Sequence, residues 1–461
     1  MEWNFQTSYL ELPNIYYSNV KPDNFEKPKL ILFNKDLANE LNLKVNNNEK
    51  EICNFLLGKT LNNEKFLSQA YAGHQFGHFS ILGDGRALLL GEHINQENKR
   101  FDIQLKGSGQ TPYSRSGDGK ATLGPMIREY IVSEAMHSLQ IPSTRALAVI
   151  STGEKILRDK FEPGAILVRV AKSHLRVGTF QFGSLIKNTG DFTKLINYTI
   201  KRLYPEKIKG NKYINFFRKI CELQIKLVIN WMRVGFIHGV MNTDNMSLSG
   251  ETIDYGPCAF MDSYNPKTVF SSIDKMGRYS FENQSRICLW NLARLAETFL
   301  HLIDENENKA IKIIEEILNE NKKQFDNAWL EMMSKKLNIE MSDSNSVIIK
   351  EFLDLMHIHK LDYTNTFIDL NKNRLDKKIF KNWIEKYFLK KSKIYNNINP
   401  EIIPRNHIIE KLIKETYEGD FTNLFEFNKI LSHPYVNNKI NEIYTTPPKE
   451  HEKVFQTFCG T

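Results

Sequence analysis

The patterning of this chain changes once, near residue 190, and that change limits the folds open to it. Before it, short apolar runs alternate with period two and are interrupted by glycine; after it, apolar residues recur at helical spacing over long stretches. Phe79–Leu82, Ala87–His93, Phe101–Lys106, Ala146–Ser151 and Ala165–Ala171 read as strands, with a helix over 125–140 between the third and the fourth. The helical half is predicted to contain 213–235, 284–303, 307–337 and 344–358. At 461 residues the chain is too long for one small core. A small β-rich lobe followed by a large helical lobe is an α+β arrangement with a cleft between the two, where ligands are expected. The predicted division is an extension over 1–65, the β-rich lobe over 66–190 and the helical lobe with its tail over 191–461.

Within the β-rich lobe, Gly83-Asp84-Gly85-Arg86 is predicted to turn a hairpin between Phe79–Leu82 and Ala87–His93. Glycines at such a tip let backbone N–H groups approach a phosphate, although any hairpin favours glycine there. In Phe101–Lys106, alternation puts Phe101, Ile103 and Leu105 on one face and Lys106 on the other. A loop rich in Gly, Ser and Pro follows, and Pro125 opens the helix that carries Glu129. A lysine on a third strand and a glutamate on the next helix is how protein kinases grip nucleotide phosphates. The lysine supplies charge and the glutamate pins its rotamer.

The helical lobe carries the matching half. In His238-Gly239-Val240-Met241-Asn242-Thr243-Asp244-Asn245, His and Asn are spaced as in the kinase catalytic loop, so Asn245 falls on the metal-binding position. The catalytic aspartate of that loop is replaced by Val240, which cannot accept a proton. Asp254-Tyr255-Gly256 reads as a variant of Asp-Phe-Gly, with Asp254 the principal metal ligand. One Asn and one Asp oxygen, completed by phosphates and water, suit magnesium. Asp244 is a carboxylate able to take over as base. Arg86, Arg169 and Arg176 add more cations than phosphoryl transfer requires; such a group could stabilise a departing pyrophosphate, the alternative being that Arg169 and Arg176 pair with surface carboxylates. Two readings stay open: an inert nucleotide-binding scaffold, or a kinase fold running a different reaction.

Bulk properties exclude other classes. No stretch of about 18 apolar residues occurs, so no membrane partner is expected. The start has neither signal-peptide nor transit-peptide character. Cysteines 53, 221, 258, 288 and 459 include no CxxC pair, which argues against structural zinc or a disulfide framework and points to the cytoplasm. The net charge of +8 suits polyphosphate ligands or acidic partners, and equally a surface rich in lysine; no nucleic-acid partner is expected.

Long motifs extend these readings. Tyr71-Ala72-Gly73-His74-Gln75-Phe76-Gly77, Leu82-Gly83-Asp84-Gly85-Arg86-Ala87 and the run from Gln104 through Lys106 to Arg115 closely resemble the selenoprotein O family. So do Arg128-Glu129-Tyr130, Ser133-Glu134-Ala135-Met136, His238–Asn245 and Asp254–Asp262. The resemblance implies a protein-kinase-like fold that binds ATP in inverted orientation. It further implies transfer of AMP to Ser, Thr or Tyr of proteins, with magnesium or manganese; UMP transfer from UTP is also attributed to bacterial members. It assigns nucleotide contacts to Gly83, Gly85, Arg86, Lys106, Asp118, Gly119, Arg169, Arg176 and Asp254. Asp244 becomes the proton acceptor, Asn245 and Asp254 the metal ligands, and Glu129 supports Lys106. Lys120 stands where the family pattern expects Arg. Cys459 is third from the end, where family members carry selenocysteine or cysteine, and the usual serines after it are Gly460-Thr461. A redox pair between Cys258, just beyond Asp254-Tyr255-Gly256, and Cys459 is therefore an expectation.

Overall fold

Alternation along the strands sorts the N-terminal side chains onto two faces of one sheet, and both faces are covered. The computed structural model describes residues 2–61, 65–186, 188–206, 210–392, 398–436 and 442–457. Its strands are β1 (Tyr17–Val20), β2 (Lys29–Phe33), β3 (Phe66–Gln75), β4 (His78–Gly83), β5 (Ala87–Ile94), β6 (Arg100–Lys106), β7 (Arg145–Leu157) and β8 (Phe161–Ala171). They pair antiparallel in the order β1-β3-β5-β6-β8-β7-β2, with β4 joined to β3. Leu88, Leu90, Ile103, Leu105, Ile166, Val168 and Val170 form one core with helices α1 (Lys35–Glu40) and α2 (Glu49–Leu56). The intervening Leu89 and Leu167 join a second core, which runs through helix α3 (Leu123–Ser138) into the helical lobe. The segment before residue 65 thus contributes β1 and β2 to the sheet, and its helices cover the sheet's far face.

Gly83-Asp84-Gly85-Arg86 does not turn a hairpin. β4 and β5 both run antiparallel to β3, so these residues form a bulge in an otherwise continuous strand. The chain reverses instead at Phe76-Gly77, where φ is +51° and +93°, a conformation in which glycine carries no penalty. A glycine pair marks a turn or a bulge alike. What selects the bulge is Asp84, which turns inward: Gln69 N donates to its Oδ2 at 3.1 Å, and its own N–H donates to the Gln69 carbonyl at 2.9 Å.

Helix α4 (Val177–Ser184) ends the β-rich lobe, and the helical lobe follows with α5 (Thr189–Leu203), α6 (Lys212–Arg233), α7 (Gln284–Glu297), α8 (Leu300–Ile303) and α9 (Glu307–Leu337). α10 (Ser346–Ile358), α11 (Tyr363–Asn371), α12 (Lys377–Phe388), α13 (Asn406–Tyr417), α14 (Thr422–Leu431) and the short α15 (Glu442–Thr445) complete it among the described residues. The single helix expected over 284–303 is interrupted at Thr298-Phe299. α3 is buried on almost every side because α13 and α14 pack on the face turned away from the sheet; its Arg128 donates to Asn406 at 3.1 Å and ion-pairs with Glu410. A short ribbon, β9 (Phe236–Ile237) with β10 (Ala259–Phe260), brackets the segment that holds His238 through Asp254. The architecture is the small antiparallel lobe and large helical lobe of a kinase-like α+β fold. No helix among the described residues is long and apolar enough to cross a membrane.

The seam between the lobes is stitched by backbone. Val177 N donates to the Met246 carbonyl at 2.9 Å, and Leu248 N to the Leu175 carbonyl at 2.9 Å. β3 presses on the start of α4 so closely that a Cβ on Gly178 would collide with the Ala72 carbonyl and lie 3.1 Å from Asp244 Cα. Gly178→Ala should therefore destabilise the protein by about 1–3 kcal/mol, the usual cost of overpacking. Thermal unfolding of the full chain checks this, and an unchanged midpoint would show the seam to be slack.

Candidate active site

Side chains two apart on a strand share a face. Gln104 and Lys106 on β6 therefore point the same way, and Arg169 on β8 sits directly across from Gln104. Arg169 Nη1 donates to Gln104 Oε1 at 3.1 Å. Glu129 rises from α3 to meet both cations: Lys106 Nζ at 2.7 Å on one oxygen, and Arg169 Nε at 2.9 Å on the other, which Arg169 Nη2 also reaches. Arg176, at the start of α4, completes the set.

Asp254 closes this cluster from the helical lobe. Its Oδ1 accepts from Lys106 Nζ at 3.0 Å and Arg169 Nη2 at 2.6 Å, while Oδ2 accepts from Arg176 Nη1 at 3.4 Å. Burial alone would raise its pKa, but Arg169, Lys106 and Arg176 outweigh burial and hold the carboxyl well below its usual range. Glu129 is shifted down in the same way, burial being overcome by Arg169 and Lys106. At Asp84 the balance reverses: burial prevails over Arg176, whose Nη2 lies 3.6 Å away, and raises its pKa. Arg176 also stacks over the Tyr71 ring, 4.5 Å from its centroid. Asp254 adopts φ +62°, a left-handed conformation uncommon for a residue with a Cβ and typical of functional sites.

His238 secures the loop from His238 to Asn245, its Nε2 lying 2.9 Å from the Ile253 carbonyl and its backbone N–H donating to Gln284 Oε1 at 3.1 Å. Asn245 donates its amide to the Val240 carbonyl at 3.0 Å, which leaves its Oδ1 without a partner among the described residues. Asp244 is buried, its Oδ1 has no hydrogen-bond partner among the described residues, and burial pushes its carboxyl up to about 6 against the pull of Arg176. Its seat is made by absence: a Cβ on Gly73 would overlap Asp244 Oδ1, and Gly178 packs on its Cα. The rest of the loop is tied to β3, with His74 N donating to Thr243 Oγ1 at 2.7 Å and Phe76 N to Asn242 Oδ1 at 3.1 Å.

The structure thus brings together Lys106, Glu129, Arg169, Arg176 and Asp254, with Asp244 beside Arg176, whose Nη1 donates to the Asp244 carbonyl at 3.1 Å. Gly83 and Gly85 lie in the bulge, where a Cβ would meet the Tyr113 ring and, at 2.8 Å, the Tyr113 carbonyl. The Arg86 carbonyl accepts from Gly107 N at 2.7 Å. Asp118 is not part of the cluster; it faces outward and pairs with Arg158 at 2.9 and 3.0 Å. Gly119, at φ +68°, packs on the Gly109 carbonyl, and Lys120 reaches Glu154 at 3.0 Å. Cys258 is fully buried, and Cys459 lies outside the described residues. Sequence reasoning gave no role to Asp84, Gln104, Tyr71, Gly73 or Gly178. Gln104 was recoverable from strand alternation beside Lys106; the others act through contacts such as His74 to Thr243, 169 positions apart.

Comparison with known proteins places this geometry. The family model described as "Protein adenylyltransferase SelO" matches residues 1–432. A protein of Pelagibacter ubique named "Protein nucleotidyltransferase YdiU" is 49% identical over 480 residues, covering 100% of this chain and 99% of that protein. Proteins of the same name from Clostridium perfringens and Brevibacillus brevis are 48% and 47% identical, each covering 100% of this chain and 98% of the relative. Among solved structures, ROP2 from Toxoplasma gondii, described as a virulence factor with a protein-kinase fold and no enzymatic activity, aligns over 57% of this chain and 78% of that one. Its TM-score is 0.26 at 10% identity, a likeness too slight to bear on the site.

Removing Glu129 leaves Lys106 and Arg169 short of a buried counter-charge. Breaking a buried pair from one side typically costs about 3–5 kcal/mol, so Glu129→Ala should lower the denaturation midpoint well beyond a surface substitution. A shift under about 1 kcal/mol, the level of an exposed pair, would show that Glu129 does not hold the cations.

Proposed function

The chain belongs to the SelO family of protein adenylyltransferases and is a protein nucleotidyltransferase; on that premise we propose that it transfers AMP from ATP to Ser, Thr or Tyr hydroxyls of other proteins. The observation that carries this reading is the convergence of Lys106, Arg169 and Arg176 on Asp254, next to a buried carboxylate with an unpartnered oxygen at Asp244. Three fixed cations on one side of a cleft suit a polyphosphate, and three charges gathered there suit a departing pyrophosphate. The acceptor hydroxyl oxygen attacks the α-phosphorus, the bond from that phosphorus to the α,β-bridging oxygen breaks, and pyrophosphate leaves with the electron pair. Asp244 takes the hydroxyl proton; a carboxyl raised to about 6 is closer to the operating pH than an ordinary one and is a correspondingly better base.

The donor set also fits a magnesium or manganese ion. Asn245 Oδ1 has no partner among the described residues, and Asp254 is the most exposed carboxylate of the cluster, its side chain 25% accessible against 2% for Glu129. Among the described residues no group of three or more His, Cys, Asp or Glu gathers as a self-sufficient metal site. Asn245 and Asp254 would therefore hold the ion together with nucleotide phosphates and water. When bound, such an ion neutralises phosphate charge. Glu129 meanwhile orients Lys106 and Arg169, and Tyr71 and Asp84 orient Arg176.

Incubation with ATP labelled at the α or the γ phosphorus tests the reading. Label should reach protein from the α position alone; transfer of γ label would identify a phosphoryl-transferring kinase, and binding without either would identify a scaffold. Asp244→Asn should lower transfer by about 10²–10⁴-fold while calorimetric ATP affinity stays near that of the parent. Equal collapse of ATP binding would make Asp244 a structural residue instead.

A further inference from the structure

The polar face of β6 carries a third residue, one with no part in the chemistry described so far. Asp102 precedes Gln104 and Lys106 by two and four positions, so all three side chains leave the strand on the same side. Gln104 braces Arg169, and Lys106 is itself a cation of the cleft. Asp102 is buried and does neither. Its Oδ2 serves a single residue, lying 2.8 Å from His174 N and 3.2 Å from His174 Nδ1. Its Oδ1 accepts from Arg202 Nη2, on α5, at 3.0 Å. Burial alone would raise the Asp102 carboxyl, but the His174 hydrogen bond and the Arg202 charge hold it below its usual range. An ionised carboxylate can only accept, so the imidazole carries its proton on Nδ1.

His174 lies two residues before Arg176, in the segment that joins β8 to α4. That segment is clamped. Lys172 N donates to Glu251 Oε2 at 2.9 Å, and the Lys172 carbonyl accepts from Arg202 Nη2 at 2.6 Å, the same group that pairs with Asp102. Two residues on, the His174 carbonyl accepts from Arg176 Nε at 3.3 Å. The far end of that guanidinium meets the Asp254 carboxylate and the Asp244 carbonyl through Nη1, and faces Asp84 through Nη2. His174 Nε2 is buried with no partner among the described residues, so the ring is used through Nδ1 alone. A buried nitrogen left unpaired is a cost, and the fold accepts it to keep the Nδ1 bond. The chain of contacts therefore runs from Asp102 through His174 to the one cation that touches both Asp254 and the backbone of Asp244.

We propose that Asp102 is a positioning residue for nucleotidyl transfer: through His174 it fixes the carbonyl that aims Arg176, and so sets how well that guanidinium meets the departing pyrophosphate. The inference rests on the nucleotidyltransferase reading of the cleft. His174→Leu removes the Nδ1 donor, whereas His174→Asn keeps a side-chain N–H where Nδ1 stands. Each variant of the full chain would be assayed with α-labelled ATP, per amount of folded protein, and by calorimetric binding of inorganic pyrophosphate with magnesium. His174→Leu and Asp102→Asn should each lower kcat/KM for ATP and pyrophosphate affinity by roughly tenfold, the order of one charge-assisted contact. His174→Asn should stay within about twofold of the parent, the scatter expected of an unperturbed site. In an Arg176→Lys background, which has no guanidinium to aim, Asp102→Asn should cost no more than about a further twofold. Full activity in His174→Leu, an equal loss in His174→Asn, or an undiminished loss in the Arg176→Lys background would make the pair a packing element and overturn the proposal. His174→Leu leaves the Asp102–Arg202 pair intact, so the comparison decides the matter even where Asp102→Asn folds poorly. Absence of α label transfer by the parent would overturn the underlying reading instead, and the pyrophosphate binding series would still decide the positioning claim.

Discussion

Asp254 is the counter-charge on which the cleft is built. Lys106, Arg169 and Arg176 come from two strands and the start of a helix in one part of the molecule, and the carboxylate that reconciles them comes from the other. Three buried cations without it would repel one another across a region shielded from water, where Coulomb terms are several times larger than in bulk solvent. Glu129 supplies a second negative group for two of the three. In the proposed reaction a polyphosphate entering the cleft would exchange with Asp254 as partner of the same cations, so that no charge would be left unpaired during binding. Asp254, relieved of that duty, would become available as the oxygen ligand proposed beside Asn245.

The same economy of parts explains why β3 folds so far over the loop that carries Asp244. Its Gly73 and the helix residue Gly178 remove the two side chains that would displace Asp244. Its His74 and Phe76 N–H groups find acceptors on Thr243 and Asn242 rather than in a sheet ladder. A carboxyl with an unpartnered buried oxygen is costly, on the order of 1–3 kcal/mol, and here that cost is borne by a backbone scaffold with little freedom to relax around it.

What could be read from sequence followed the range of the contacts. Lys106 on its strand face and Glu129 on the next helix follow from local periodicity, and the His238-to-Asn245 spacing and Asp254-Tyr255-Gly256 carry their meaning within a few residues. The helix over 307–337 was delimited by its own amphipathic pattern and is observed as Glu307–Leu337. The bulge at Gly83–Arg86 was misread as a hairpin because glycine spacing is the same for both, and only the Asp84–Gln69 exchange across to β3 distinguishes them. Asp84, Tyr71, Gly73 and Gly178 matter through what they touch in the fold, which no local pattern encodes. The early strands β1 and β2 were hidden for a related reason: each is short, and their partners lie on β3 and β7.

The most direct measurement is ATP affinity by calorimetry, with and without magnesium, in the parent chain and in Asp254→Asn. If Asp254 is both the resident counter-charge of the three cations and the main protein ligand of the ion, the substitution has opposite effects in the two conditions. Metal-free ATP should bind at least as tightly as before, because a competing carboxylate charge is gone, while the tightening produced by magnesium should largely vanish. Magnesium-dependent tightening that survives intact in Asp254→Asn would contradict the account at its centre.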